Sequence, residues 1–165
     1  MKKILTIITA AAALALALCA CSSLRMSPEQ KALMERAVID SLGNRTYTIE
    51  VSMVHPTHGT SRHVNNYYLS VKGDKLVTVL PYYGVVYSLP YGGDTGYHLN
   101  SEITEYNESA PKPDRRQIRI ITKVFEGGRN ETVSFNLTVF VNGRAQINAY
   151  SQNREPISYS GALVL

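Results

Sequence analysis

Between Val133 and Ala149 apolar residues recur at every second position, interrupted once by Asn142-Gly143. Val133, Phe135, Leu137, Val139 and Val141 alternate with mainly polar neighbours, and Ala145, Ile147 and Ala149 resume the series beyond the Asn-Gly pair. A period of two places every such residue on one face of an extended strand. Asn-Gly between two such runs predicts a two-residue type I′ hairpin. This part of the chain is therefore committed to antiparallel β-structure with one buried face. The same pattern recurs upstream. Tyr47, Ile49, Val51 and Met53 alternate with Thr46, Thr48, Glu50 and Ser52, and Tyr67 to Lys72 and Lys75 to Leu80 flank a hairpin signal at Gly73-Asp74. His98 to Thr104, Gln117 to Phe125 and Ile157 to Val164 read as further strands. A polar loop separates them at His55 to His63, a turn at Glu126 to Asn130 and a Pro-rich loop at Asn107 to Arg115. About seven to nine strands follow, joined by short connections with no helix between them, which argues against parallel crossover units. The expected fold is mainly β: an antiparallel sandwich or a small open barrel, with one N-terminal amphipathic helix.

That helix is signalled by Ser27-Pro28-Glu29-Gln30, where Ser27 caps, Pro28 suits the first helical position and Gln30 completes a capping box. Leu33, Met34, Ala37, Val38 and Leu42 recur at three- and four-residue steps, and Gly43 is placed to end the element. With so few basic residues on its polar face, the helix suits packing against the sheet better than lying on a membrane. Residues 1–20 have the layout of a secretory signal peptide, two lysines and then an apolar run from Ile4 to Leu18. The run is too short for a membrane span, which needs about 20 residues. Leu18-Cys19-Ala20-Cys21 resembles the bacterial lipobox, with Cys21 as the acylated residue. Residues 21–26 then form a lipidated tether, of which Ser22 to Met26 span at most roughly 18 Å at about 3.5 Å per residue, and residues 27–165 form a single β-rich domain. At about 0.8 kcal/mol per buried methylene, several acyl chains hold such a domain on a membrane essentially permanently. Loss of residues 1–20 removes Cys19, and acylation occupies Cys21, so no thiol or disulfide remains. The 17 basic residues less Lys2 and Lys3 leave 15 against 13 acidic ones. That balance gives no support to nucleic-acid binding, which wants a concentrated basic face.

Chemistry is sparsely signalled. The stretch Leu80 to Tyr97, LPYYGVVYSLPYGGDTGY, holds five of eleven tyrosines. Its two prolines and four glycines exclude a long regular helix, so turns and short extended pieces display the rings. Tyr67/Tyr68 and Tyr82/Tyr83 are adjacent pairs, and adjacent extended residues face opposite ways, so some rings face outward. Two readings stay open: rings that cover an end of the sheet, and an aromatic groove for a glycan, a peptide or an apolar ligand. His55, His58 and His63 are weak candidates for a metal site, on a loop with no cysteine and no known ligand spacing. Ser88, Ser158 and Ser160 lie in no nucleophile elbow. Glu102 and Glu105 are recognisable as a carboxylate pair only by their separation in space. Gly92-Gly93-Asp94-Thr95-Gly96 lacks the lysine and the helix of a P-loop. No cofactor is called for.

Several motifs together resemble one family. They are Asn66-Tyr67-Tyr68-Leu69, the Gly73-Asp74 turn, Leu80-Pro81-Tyr82-Tyr83-Gly84, Tyr87, Pro90-Tyr91-Gly92-Gly93, Asn153-Arg154 and Ile157-Ser158-Tyr159-Ser160-Gly161. The chain from about Arg45 onward is similar to a Bacteroidetes lipoprotein family with a domain of unknown function, number 4251 in that series. The resemblance implies a Gram-negative envelope protein and brings no assigned activity. Surface-exposed lipoproteins of that phylum are expected to carry acidic residues just after the cysteine. Ser22-Ser23-Leu24-Arg25 departs from this, which points to the periplasmic face of the outer membrane. Asp40-Ser41-Leu42 is similar to a short O-glycosylation motif of such bacteria. The expected function is a non-enzymatic, lipid-anchored envelope domain that binds a glycan, a peptide or an envelope protein. Its candidate ligand-binding residues are Tyr82, Tyr83, Tyr87, Tyr91, Arg154 and Tyr159. The alternatives are an assembly factor whose tyrosines are architectural, and a hydrolase with an unrecognised site.

Overall fold

The computed structural model describes residues 26–87, 95–126 and 129–165, apart from the side chains of residues 126 and 129. The expected signal peptide, Cys21 and most of the tether lie outside these residues, as do Ser88, Tyr91 and the Gly92 to Asp94 piece. Helix α1 (Pro28–Gly43) is followed by β1 (Thr46–Pro56), β2 (Arg62–Lys72), β3 (Lys75–Leu80), β4 (Tyr97–Glu108), β5 (Arg115–Glu126), β6 (Arg129–Phe140), β7 (Arg144–Ser151) and β8 (Ile157–Val164). Each strand pairs antiparallel with the next, and β8 returns to pair with β1. The result is a closed up-and-down barrel. Of the expected alternatives the sandwich is excluded, and the barrel is closed rather than open. Closure pairs both strands that would otherwise be sheet edges.

The inward columns are those that the alternation marks. Ile49, Leu69, Val71, Leu76, Ile120, Phe135, Leu137, Val139, Ile147 and Ala149 fill the interior. Outward positions such as Glu50, Arg119, Lys123 and Gln146 are polar and exposed. This is the reverse of a membrane-spanning barrel, whose apolar band faces outward. Among the described residues no helix is long and apolar enough to cross a membrane.

Three local expectations are corrected. The β6–β7 connection is not a two-residue type I′ turn. Gly143 donates to the Phe140 carbonyl at 2.9 Å, and Gly143 alone in this turn has positive φ, +80°. That is a three-residue loop, a type I turn closed by a left-handed glycine, so Val141 is half-buried in the turn rather than on the inner face. In β1 the inward column passes from Val51 to Val54, and Met53 is only half-buried. The cause is a bulge, because Ser52 is skipped in the registers with both β2 and β8. The loop before β5 is also shorter than expected, since pairing of β4 with β5 continues to Glu108↔Ile118.

Residues Met34–Leu165 form one compact unit, which holds the last turns of α1 and all eight strands; the described residues 26–33 fall outside it. At the start of α1 the capping box forms as its spacing predicts. Ser27 N–H donates to Gln30 Oε1 at 2.9 Å, and Gln30 N–H donates to Ser27 Oγ at 3.2 Å. In the barrel unit Val38 and Leu42 are buried and join the core, with Met34 packed against it. Ser41 is half-buried. Gly43 does not supply the left-handed residue that follows many helices; Arg45 does, at φ +48°. An ion pair with Asp74 at 3.1 Å and a seat over the Tyr106 ring at 4.3 Å hold Arg45 in this unfavourable conformation.

The seam that closes the barrel depends on one missing side chain. Val51 faces Gly161 beside the bulge, and a Cβ at Gly161 would lie 1.9 Å from the Glu50 carbonyl oxygen and 3.0 Å from Val51 Cα. Both obstacles are backbone, so a methyl group there must prise β1 from β8. Gly161→Ala is expected to lose on the order of 4 kcal/mol or more. Gly43→Ala is a control, because it meets nothing within 4 Å and should gain about 0.5–1 kcal/mol. Chemical denaturation of both variants checks this. A Gly161→Ala protein as stable as the parent would contradict the seam geometry.

Candidate functional site

Alternating strand directions put the β1–β2, β3–β4, β5–β6 and β7–β8 connections at one end of the barrel, hereafter the upper end. The β3–β4 connection is the long tyrosine-rich stretch. Leu80, Pro81, Tyr82 and Tyr97 are buried at its two ends, while Tyr83, Val85 and Tyr87 are exposed. The adjacent pair Tyr82/Tyr83 thus divides between inside and outside, as alternation requires.

The β7–β8 loop ties this connection down. Arg154 is 3% exposed and Glu131 5% exposed, and they face each other with 3.5 Å between Nη2 and Oε2. Burying a guanidinium and a carboxylate costs several kcal/mol per ion unless their remaining hydrogen-bonding capacity is used. Here Arg154 Nη1 donates to the carbonyls of Gly96 at 2.9 Å and of Thr95. Its guanidinium carbon lies 4.7 Å from the centre of the Tyr97 ring and 5.9 Å from that of Tyr82. Glu131 in turn accepts from the Ser151 hydroxyl.

The tyrosine hydroxyls complete the closure. Tyr159, on β8 inside the barrel, donates to the Pro81 carbonyl at 2.8 Å. The Tyr82 hydroxyl shares its proton between the carbonyls of Val85 at 2.8 Å and Glu155 at 3.1 Å. Two main-chain bonds, Tyr87 N–H to Asn153 O at 2.7 Å and Glu155 N–H to Val85 O at 3.0 Å, join the two loops directly. Tyr82 folds back so closely that a Cβ on Gly84 would lie 2.6 Å from its oxygen. Tyr97 packs edge-on against Tyr82 and Phe135, with ring centres 6.0 and 5.7 Å apart. Its hydroxyl is buried with no hydrogen-bond partner among the described residues, at a cost of about 1–3 kcal/mol.

The structure therefore brings Tyr82, Arg154 and Tyr159 together, but inside, with both hydroxyls and Arg154 Nη1 bonded to backbone carbonyls. Tyr83 and Tyr87 remain at the surface, Tyr87 at 65% exposure, and Phe125 on β5 adds a ring that is 74% exposed at the same end. Arg62 lies over the Tyr83 ring at 5.0 Å. Glu131 was not anticipated. Its position two residues before Val133 puts it on the inward side, and an acidic residue at inward parity is the signal that would have found it.

The histidines do not converge. His55 Nδ1 is 2.7 Å from Ser61 Oγ and its Nε2 is 2.8 Å from Ser160 Oγ, while His58 pairs with Glu155 at 3.5 Å. Among the described residues no group of three potential ligands could hold a metal ion. Ser160 does gain a base that sequence could not show. A hydroxyl, Ser61, stands where a catalytic triad holds a carboxylate, so the ring is oriented without the charge that stabilises an imidazolium.

Burial drives the Tyr97 and Tyr159 hydroxyls well above the ordinary tyrosine range. Tyr47 is driven up likewise, first by burial and then by its neighbour Tyr106, whose hydroxyl lies 3.3 Å away. A folded-state pKa above the unfolded value, near 10, means that the neutral hydroxyls contribute their full stability below about pH 10. That contribution is lost as pH rises towards the folded-state values. The tyrosinate absorbance at 295 nm that belongs to Tyr47, Tyr97 and Tyr159 should accordingly appear only with cooperative unfolding. A single step near pH 10 for all eleven tyrosines, with native circular dichroism retained, would contradict this burial.

The fold recurs in a solved structure. A crystal structure of a DUF4251 family protein from Bacteroides eggerthii superposes with a TM-score of 0.59 at 18% identity, covering 81% of this chain and 88% of that one. At that identity the likeness shows the fold alone. No curated protein matches this chain. The model of the family described as a domain of unknown function, DUF4251, matches residues 29–163, from the start of α1 almost to the end of β8, and the chain belongs to that family.

Proposed function

We propose that this protein is a non-enzymatic, lipid-anchored domain of the cell envelope that binds an envelope ligand or protein partner through the aromatic surface at the upper end of the barrel. One observation carries the reading. Tyr83, Val85 and Tyr87 stand exposed on a connection whose two ends are fixed by buried bonds, with Phe125 exposed at the same end. Apolar side chains held outside a filled core, on a frame that costs little further ordering, are what a binding surface needs. The anchor is supported by the lipobox pattern at Cys21. Periplasmic placement on the outer membrane rests on Ser22 to Arg25.

The architectural alternative draws on Tyr47, Tyr82, Tyr97 and Tyr159, which are all buried. The two readings separate by mutation. Tyr83→Ser and Tyr87→Ser should each change stability by less than about 0.5 kcal/mol while reducing capture of envelope components from a detergent extract. Tyr82→Ala, by contrast, should lose about 3–5 kcal/mol. Capture undiminished in a Tyr83/Tyr87 double variant of unchanged melting temperature would sink the binding surface. For the anchor, Cys21→Ala expressed in a Bacteroidetes host should move the protein from the membrane fraction to the soluble fraction. Retention of that variant on the membrane would contradict acylation there.

A further inference from the structure

Between Val51↔Tyr67 and Met53↔His63 the β1–β2 ladder is broken: Ser52 stands opposite three residues, Val64, Asn65 and Asn66. The register with β3 begins only at Tyr68, so these three residues have no cross-strand partner on either side. Asn66 has φ +65°, a left-handed conformation that asparagine tolerates better than most residues. Breaks of this kind re-aim side chains and leave backbone groups outside the ladder.

At the break the outer wall is hollowed into a cleft of about 550 Å³, within the range of small-molecule sites. The floor is shallow because it is made of small residues. Ala162 and Glu50 are paired across the seam, and Thr48 and Ser70 fix each other through a hydroxyl contact of 2.9 Å. Tyr68 pairs with Glu50 and supplies a half-buried ring as one wall. Asn65, Asn66 and Ser52 are exposed around it.

We propose that this cleft is a second binding site, distinct from the upper aromatic surface, and that it takes a neutral oligosaccharide. A pyranose ring has an apolar C–H face and an edge of hydroxyls, each both donor and acceptor. The cleft offers the complement: one aromatic face, two amides that each donate and accept, and several hydroxyls. Among the described residues Glu50 is its only charged lining group, and no lysine or arginine lines it. An anionic ligand would meet the Glu50 carboxylate inside the cleft, while Lys72 and Lys75 line an adjoining hollow that shares Tyr68 and Ser70 with it. A neutral sugar can place two neighbouring hydroxyls on Glu50.

The test titrates the full chain with maltotriose, cellotriose and triacetylchitotriose, with trigalacturonate as the anionic control, by calorimetry and amide chemical-shift mapping. At least one neutral sugar should saturate below about 10 mM, with shifts confined to residues 48–52, 64–70 and 162. Trigalacturonate should bind at least about tenfold more weakly. Tyr68→Ala should weaken binding about tenfold or more, and Tyr83→Ser should leave it unchanged. Asn66→Gly suits the left-handed backbone and so keeps the fold; it should also weaken binding, which decides the matter if Tyr68→Ala does not fold. No saturation by any of the three neutral sugars, binding unchanged in Asn66→Gly, or shifts centred on residues 83–87 would each overturn the site.

Discussion

A guanidinium inside the apolar end of a barrel is unstable unless it is paired with an opposite charge and hydrogen-bonded, and this requirement organises the upper half of the protein. Arg154 needs Glu131 for charge, the Thr95 and Gly96 carbonyls for hydrogen bonds and Tyr97 for its face. Those partners come from β6, from the end of the β3–β4 connection and from β4. Satisfying one side chain therefore fixes the relation of three segments distant in sequence. Replacing such a pair with apolar residues can leave stability unchanged, whereas removing one member strands a buried charge. The pair contributes mainly a unique arrangement of the upper end.

The tyrosine-rich stretch takes its double character from this anchoring. Tyr82, held by the Val85 and Glu155 carbonyls, and Pro81, held by Tyr159, make its first part a plug. Tyr83 and Tyr87 are consequently turned outward on a segment whose ends cannot move freely. Binding through rings on such a frame avoids most of the ordering cost that a free loop would incur. The same bonds explain why Pro81-Tyr82, Gly84, Asn153-Arg154 and Tyr159 occur together as motifs: they are parts of one packed junction.

The antiparallel class, the strand number and most inward columns were legible because alternation is local: Val133 to Val139 need no distant information to declare a buried face. The capping box at Ser27 and Gln30 was legible for the same reason. Closure was not, because it depends on Gly161 meeting the Glu50 carbonyl across the whole length of the domain. The bulge at Ser52 was hidden, since a period of two fits Met53 as well as it fits Val54. Asn142-Gly143 gave the place of the turn but not its length. At the candidate site, sequence singled out Tyr82, Tyr83, Tyr87, Arg154 and Tyr159, which the fold gathers at the upper end. It could not say that Arg154 and Tyr159 point inward, nor that Glu131 answers Arg154, because a charge at inward parity makes sense only once its partner is in view.

The central claim is that Arg154 pins the tyrosine-rich connection to the barrel, and amide hydrogen exchange tests it most directly. In Arg154→Met, amides of residues 81–87 and 95–97 should exchange about a hundredfold faster or more, equivalent to about 3 kcal/mol of lost local protection, while β5 and β6 below the junction keep theirs. Unchanged protection of the connection, or uniform loss across all eight strands, would contradict the account.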